Sequence, residues 1–217
     1  MSQPVILVPT MGALHDGHRK LIREGNAIKG NKGTLIVSIY LNPIQFNDPK
    51  DLDEYPRTFD TDYKVCEEED VDLIFAPSDA EMYLNSSSVK VSENKIAREL
   101  CGSKRPGHFD GVCTVVTKLF NLIKPKIAIF GKKDYQQLSI IRQLVTDLNY
   151  SIEIIAIEER APVRPSSKVL NIAKGKFATI PANIIIDIPL PKPCSVICSP
   201  SHIKNIVPEV IVIIADI

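Results

Sequence analysis

The chain has 217 residues, 44% of them apolar, and its 26 basic side chains balance 26 acidic ones to a net charge of zero. That length and apolar content suit one large domain, or a standard domain with a small one beside it. No basic stripe marks a nucleic-acid surface, and no apolar run reaches the ~18 residues that cross a bilayer. The uncharged start before the short apolar run at 5–8 does not read as a signal peptide. Five cysteines (Cys66, Cys101, Cys113, Cys194, Cys198) include no C-x-x-C pair. They predict reduced, mostly buried thiols in a reducing, cytoplasmic compartment rather than disulfides or a metal site.

In chain order, the apolar run VILV at 5–8 predicts a strand buried on both faces, and a helical pattern follows over 18–27. TLIVSIYL at 34–41 predicts a second strand, an acid-rich exposed helix covers 57–69, and VDLIFA at 71–76 predicts a third strand. Val112, Val115, Val116, Leu119, Phe120 and Ile123 recur at helical spacing and mark one buried face. KIAIF at 126–130 is a strand, Leu138, Ile141, Leu144, Val145 and Leu148 line a further helix, and IEIIAI at 152–157 closes the series. Strands alternating with helices of this length predict an α/β fold with a doubly wound parallel sheet. Ligands of such sheets sit beyond the carboxyl ends of the strands. Beyond residue 158 the periodicity fades, and eight of the sixteen prolines fall in 162–217. The expected division is therefore a sheet domain over 1–158 and a small C-terminal domain over 159–217.

Four polar motifs fall at successive strand ends. The first, PTMGALHDGH at 9–18, joins the first strand to the first helix. Gly12 and Gly17 permit close backbone approach to a ligand, and a helix N-terminus presents free N–H groups to phosphate. His15 and His18, three residues apart, are expected to share a face of the first helical turn, where two imidazole N–H groups can bind phosphate oxygens and steady developing charge. The bland readings are a zinc pair, for which no third ligand is evident, or idle surface histidines. The second motif, NPIQFN at 42–47, offers the Gln45 amide to carboxylate or hydroxyl groups. Taken alone, Gln45 is an ordinary solvated loop residue. The third, SKRPGHFDG at 103–111, offers Arg105 to an anion, with His108 orienting the loop. The fourth, FGKKDYQQ at 130–137, places Gly131 for close approach, Lys133 for phosphate, Asp134 for ribose hydroxyls and Gln137 one turn along the helix. A charged helix start is the plain alternative there.

Together these stretches resemble the pantoate–β-alanine ligase family. The resemblance is carried by residues 9–18, LNPIQF at 41–46, EYPRT at 54–58, VDLIFAPS at 71–78, KRPGHFDGV at 104–112, KLFNLIKP at 118–125, FGKKDYQQL at 130–138 and IRQLVTDLN at 141–149. It implies a Rossmann-like ATP domain with a C-terminal lid, usually in a homodimer. The implied reaction joins D-pantoate to β-alanine at the expense of ATP, through pantoyl adenylate. By motif position, Met11, Gly12, Ala13, Leu14, His15, Asp16, Gly17 and His18 are expected around ATP, with His15 and His18 catalytic. Gly131, Lys132, Lys133 and Asp134 are expected at the nucleotide as well. Gln45 and Gln137 are expected at pantoate, with Gln45 also near β-alanine. Mg²⁺ is expected to arrive with ATP, with no protein ligand assigned.

Three features depart from the family pattern. Lys132 stands where a Glu is usual, and only eight residues precede Pro9. The family's second ATP loop, of the form G-L-A-L-S-S-R-N, is not found; Ser166-Ser167-Lys168 is the nearest remnant by position. Residues 158–163, 197–200 and 207–209 instead look like pieces of the following segment and lid joined with gaps. The expectation is that loop segments of the whole protein are missing from this sequence, checked by an intact mass above 24.1 kDa. The alternatives are a different nucleotidyl transferase, or a nucleotide-binding scaffold without ligase activity.

Overall fold

The computed structural model describes residues 3–84 and 87–158, together with the backbone of Ser195–Ile197. Its centre is a parallel sheet built from β1 (Val5–Thr10), β2 (Thr34–Ile39), β3 (Leu73–Phe75), β4 (Ile127–Gly131) and β5 (Glu153–Ile157), with β6 (Ser195–Ile197) beside β3. The strand order is β5-β4-β1-β2-β3-β6. The chain thus winds outward from β1 in one direction through β2 and β3, then returns to the other side of β1 with β4 and β5. The gap between β1 and β4 is the switch point, where an open α/β sheet leaves a crevice.

Burial on both faces explains why the strands read as continuous apolar runs: Ile6, Leu7 and Val8 are all 0% exposed. Alternate side chains still choose opposite layers. Leu7, Ile36, Ala128 and Phe130 pack with α6 (His108–Ile123) and α7 (Tyr135–Asp147). Ile6, Val8, Leu35, Val37 and Ile129 pack with Leu21 and Ile22 of α1 (Asp16–Lys29) and Cys66 of α3 (Phe59–Glu68).

Each strand and long helix expected from the sequence is present, with shifted ends. Helix α6 begins at His108, four residues before the first apolar position of the pattern, because the motif around Gly107 is itself the helix start. Helix α3 is not simply exposed: Asp62, Val65 and Cys66 are buried. Short helices α2 (Pro49–Asp53), α4 (Asp79–Met82) and α5 (Leu100–Ser103) carry too few residues to show a period. Of the thiols within the described residues, Cys66 and Cys113 are buried as expected, whereas Cys101 is exposed on α5. Apart from Ser195–Ile197, the expected lid lies outside the described residues, as does Ser166-Ser167-Lys168. Among the described residues, no helix is long and apolar enough to cross a membrane.

Candidate active site

A cleft of about 400 Å³ opens at the carboxyl ends of β1, β2 and β4. Three of the four sequence motifs meet there. Met11, Ala13, His15 and His18 line it from the first, Gln45 from the second, and Gly131, Lys133, Asp134 and Gln137 from the fourth. Gly12, Leu14, Asp16, Gly17 and Lys132 do not line it. Lys132 is exposed, and its backbone N–H extends the β4–β5 ladder by donating to the Ile157 carbonyl at 2.8 Å. Arg105 is exposed and outside the cleft.

The first motif is held by hydrogen bonds that also define the histidine tautomers. His15 is not in the first helical turn but is the N-cap of α1, with His18 at its third position, so the pair forms a reciprocal capping box. The Gly17 N–H donates to His15 Nδ1 at 3.0 Å, and the His15 N–H donates to His18 Nδ1 at 3.3 Å. A backbone N–H can only donate, so both Nδ1 atoms accept. The ring proton of each neutral imidazole therefore sits on Nε2. The two rings lie 4.2 Å apart between centroids. Burial first, then the neighbouring His15 and Lys133, pull the His18 imidazole from 6.5 down to about 4. At neutral pH His18 is thus an uncharged Nε2–H donor.

Beneath this loop lies a residue that sequence reasoning missed. Asp62 of α3, 1% exposed, accepts from the Ala13 N–H at Oδ2 (2.9 Å) and from the Leu14 N–H at Oδ1 (2.7 Å). Thr58 adds a hydroxyl bond at 3.2 Å. The loop bends through positive φ at Gly12 (85°) and Ala13 (52°) to present these amides. A Cβ at Gly12 would come within 2.9 Å of Asp62 Oδ2. Glycine is needed there both for its conformation and for room. Asp62 gave no signal because it is one acid among several in an acid-rich helix.

The opposite wall is a buried neutral shelf. Gln45 sits on a 3-10 turn, Pro43–Gln45, at the end of β2, and is 7% exposed. Its Oε1 accepts from Asn42 Nδ2 at 2.9 Å, leaving Nε2 facing Met11 Sδ at 3.0 Å. A thioether is a weak acceptor, so this donor is available to a better one. His108 lies in the shelf's support: its Nδ1 donates to the Gln45 carbonyl at 2.8 Å. The bond ties His108 to the Gln45 turn of the second motif rather than to its own loop. Behind Gln45 a second, polar hollow of about 270 Å³ shares this residue as a wall.

Comparison with known proteins agrees with these motifs. A sequence profile described as pantoate-beta-alanine ligase matches residues 1–163. The chain belongs to the pantoate–β-alanine ligase family. Pantothenate synthetase of Akkermansia muciniphila is 53% identical over 154 residues, covering 71% of this chain and 55% of the relative. The enzyme of that name from Clostridium acetobutylicum is 49% identical over 179 residues, 80% of this chain and 63% of the relative. Among solved structures, Francisella tularensis pantoate-beta-alanine ligase, complexed with beta-gamma ATP and beta-alanine, superposes with a TM-score of 0.70. It shares 41% identity and covers 74% of this chain and 61% of its own. The Thermus thermophilus enzyme gives 0.68 at 39% identity, covering 73% and 56%. The chain spans about half the length of curated pantoate–β-alanine ligase relatives it matches.

Proposed function

We propose that the whole protein is a pantoate–β-alanine ligase that condenses D-pantoate with β-alanine, converting ATP to AMP and pyrophosphate through pantoyl adenylate. The observation that carries this reading is the pairing, across one cleft, of two Nε2–H imidazole donors with a buried amide whose N–H faces inward. The first suits the phosphates of a nucleotide and the second suits the oxygens of a hydroxy acid.

The chemistry divides into two displacements. A pantoate carboxylate oxygen bonds to the α-phosphorus as the bond to the leaving pyrophosphate breaks. The carboxylate is already anionic and needs no general base. What the reaction needs is stabilisation of the charge spread over the phosphoryl oxygens. His18, His15 and Lys133 are assigned to that task, with Met11, Gly12, Ala13, Leu14, Asp16 and Gly17 shaping the nucleotide loop. Because His18 is held neutral, it acts as a hydrogen-bond donor rather than a proton source at neutral pH. In the second displacement the β-alanine nitrogen bonds to the acyl carbon, the bond to AMP breaks, and the amine gives up a proton. Positioning accounts for the rate of this step. Gln45 and Gln137 are assigned to pantoate, and the two hollows flanking Gln45 support its contact with β-alanine too. Gly131 and Asp134 are assigned to the nucleoside, whereas Lys132 is exposed beyond the cleft wall and is assigned no role.

Among the described residues, no three His, Cys, Asp or Glu side chains converge to hold a metal. Mg²⁺ enters as the partner of the ATP phosphates. The reading further carries a homodimer in a reducing cytoplasm, in keeping with the free thiols of Cys101 and Cys113.

The test uses the full-length protein with ATP, Mg²⁺ and D-pantoate, with and without β-alanine. Pantoate-dependent pyrophosphate release, followed by AMP and pantothenate once β-alanine is added, is the expected result. Folded protein that binds ATP but releases no pyrophosphate with pantoate would overturn it.

A further inference from the structure

The polarity of the Gln45 amide is decided by a relay of hydrogen bonds that begins outside the cleft. Asn42, 1% exposed, donates from Nδ2 to two acceptors, the Gly111 carbonyl at 3.1 Å and Gln45 Oε1 at 2.9 Å. Its Oδ1 accepts from the Tyr83 hydroxyl at 2.8 Å. The Gly111 carbonyl can only accept, so the Asn42 amide has one satisfactory orientation. That orientation in turn permits only one for Gln45, oxygen towards Asn42 and N–H towards the cleft.

Tyr83 follows α4 and is half-buried, with the Lys118 ammonium 5.5 Å from its ring centroid and the Tyr40 ring 6.4 Å away. The hydroxyl of Tyr40 is engaged by Asp79 Oδ1 at 2.9 Å. Among the described residues, Tyr83 is the donor that reaches Asn42 Oδ1. Without it, a buried amide oxygen loses its partner while the opposite edge of the same amide stays satisfied. An unpartnered buried acceptor is costly, and the Asn42 amide is then held by its Nδ2 edge alone and is freer to shift. A loosened Asn42 holds Gln45 Oε1 less firmly, so the Gln45 N–H is no longer kept directed into the cleft. A carboxylate substrate would then meet a donor whose direction is no longer fixed.

We infer that Tyr83 is a positioning residue for the acid substrate, its hydroxyl acting through Asn42 to keep the Gln45 N–H directed into the cleft. The inference rests on the proposed ligase reading for the identity of the acid. Tyr83 does not line the cleft and touches no reacting atom.

The experiment is Tyr83→Phe in the full-length protein, alone and combined with Gln45→Ala, with KM measured separately for pantoate and ATP. The single variant is expected to raise the pantoate KM about tenfold, the scale of one lost buried hydrogen bond, and to leave the ATP KM unchanged. Added to Gln45→Ala it is expected to change nothing further, because the group it orients is gone. An unchanged pantoate KM, an equal rise in both KM values, or the same fold-change on the Gln45→Ala background would overturn the relay. A second readout does not depend on turnover: slow exchange of the Asn42 Nδ2 protons by NMR is expected in the parent protein and faster exchange in Tyr83→Phe. Should the parent protein show no pantoate-dependent pyrophosphate release, the ligase reading falls. The relay is then decided by this exchange measurement, with equal rates counting against it.

Discussion

The two walls of the cleft are built on opposite plans. The wall at the end of β1 and β4 is solvent-facing: His15, Lys133 and Asp134 are exposed, and one buried carboxylate, Asp62, props the loop from beneath. The wall at the end of β2 is largely closed, with Asn42, Gln45 and His108 all buried and bonded to one another or to backbone. A site that handles a charge it must first admit and then release keeps its donors near water. A site that must tell one small acid from another does so through buried groups whose orientation is fixed, because a wrong partner leaves them unpaired. On the proposed reading, rate should reside in the first wall and recognition in the second.

The largest expected effect is on the first wall. His18→Ala should slow pantoate-dependent pyrophosphate release by at least ~10²-fold, the scale for losing one transition-state donor, with little change in the pantoate KM. Single-turnover kinetics check it, and a rise confined to KM would reverse the division of labour. Asp62→Ala should come next. It removes an acceptor shared by two backbone N–H groups, bonds worth about 1.5–3 kcal/mol each when charged, so kcat/KM for ATP should fall by at least ~10-fold while the pantoate KM holds.

Gly111→Ala probes the second wall. Alanine favours a helix by up to ~1 kcal/mol over glycine, but here the new Cβ would lie 2.6 Å from the Gln45 Cα. Backbone cannot rotate away, so an overpacking cost of about 1–3 kcal/mol opposes and outweighs that gain. The variant should melt at lower temperature and bind pantoate more weakly, with ATP affinity kept. Calorimetry and the two KM values read this out.

A smaller effect concerns acid stability. His18 takes up its proton near 6.5 when unfolded but only at about 4 when folded. Below 6.5 the unfolded state binds more protons, so stability is full above that pH and is lost as pH falls towards about 4. His108, also lowered by burial, adds to the trend in the same direction. Denaturant titrations between pH 7 and 4 should show a shallower decline in His18→Asn than in the parent protein. The smallest effect belongs to Lys132→Glu. This exposed residue lies outside the cleft and should leave ATP and pantoate KM values unchanged, with stability within ~0.5 kcal/mol.

Much of this arrangement was legible in the chain itself. Continuous apolar runs such as 5–8 betray strands covered on both faces, and the helical spacing from Val112 to Ile123 betrays one buried stripe. Those signals are periods, and a period is a property of neighbouring residues. Motifs at strand ends then collect in one crevice because a parallel sheet places every carboxyl end on the same edge. The sequence could not show which edge of each imidazole is free, since that depends on the cap geometry of α1. Motif position alone put Lys132 beside Lys133 at the nucleotide, whereas only Lys133 lines the cleft.

What the sequence determined by itself was the strand–helix alternation, the winding of the sheet and the residue types brought to its carboxyl edge. Tertiary structure alone decided how those residues are held. Asp62 reaches amides 49 and 48 positions away, and the chain from Tyr83 through Asn42 to Gln45 starts 41 positions from its first acceptor. A hydrogen bond across such a separation leaves no periodic trace, because its partners meet only after the sheet has brought β1, β2 and the helices around them together.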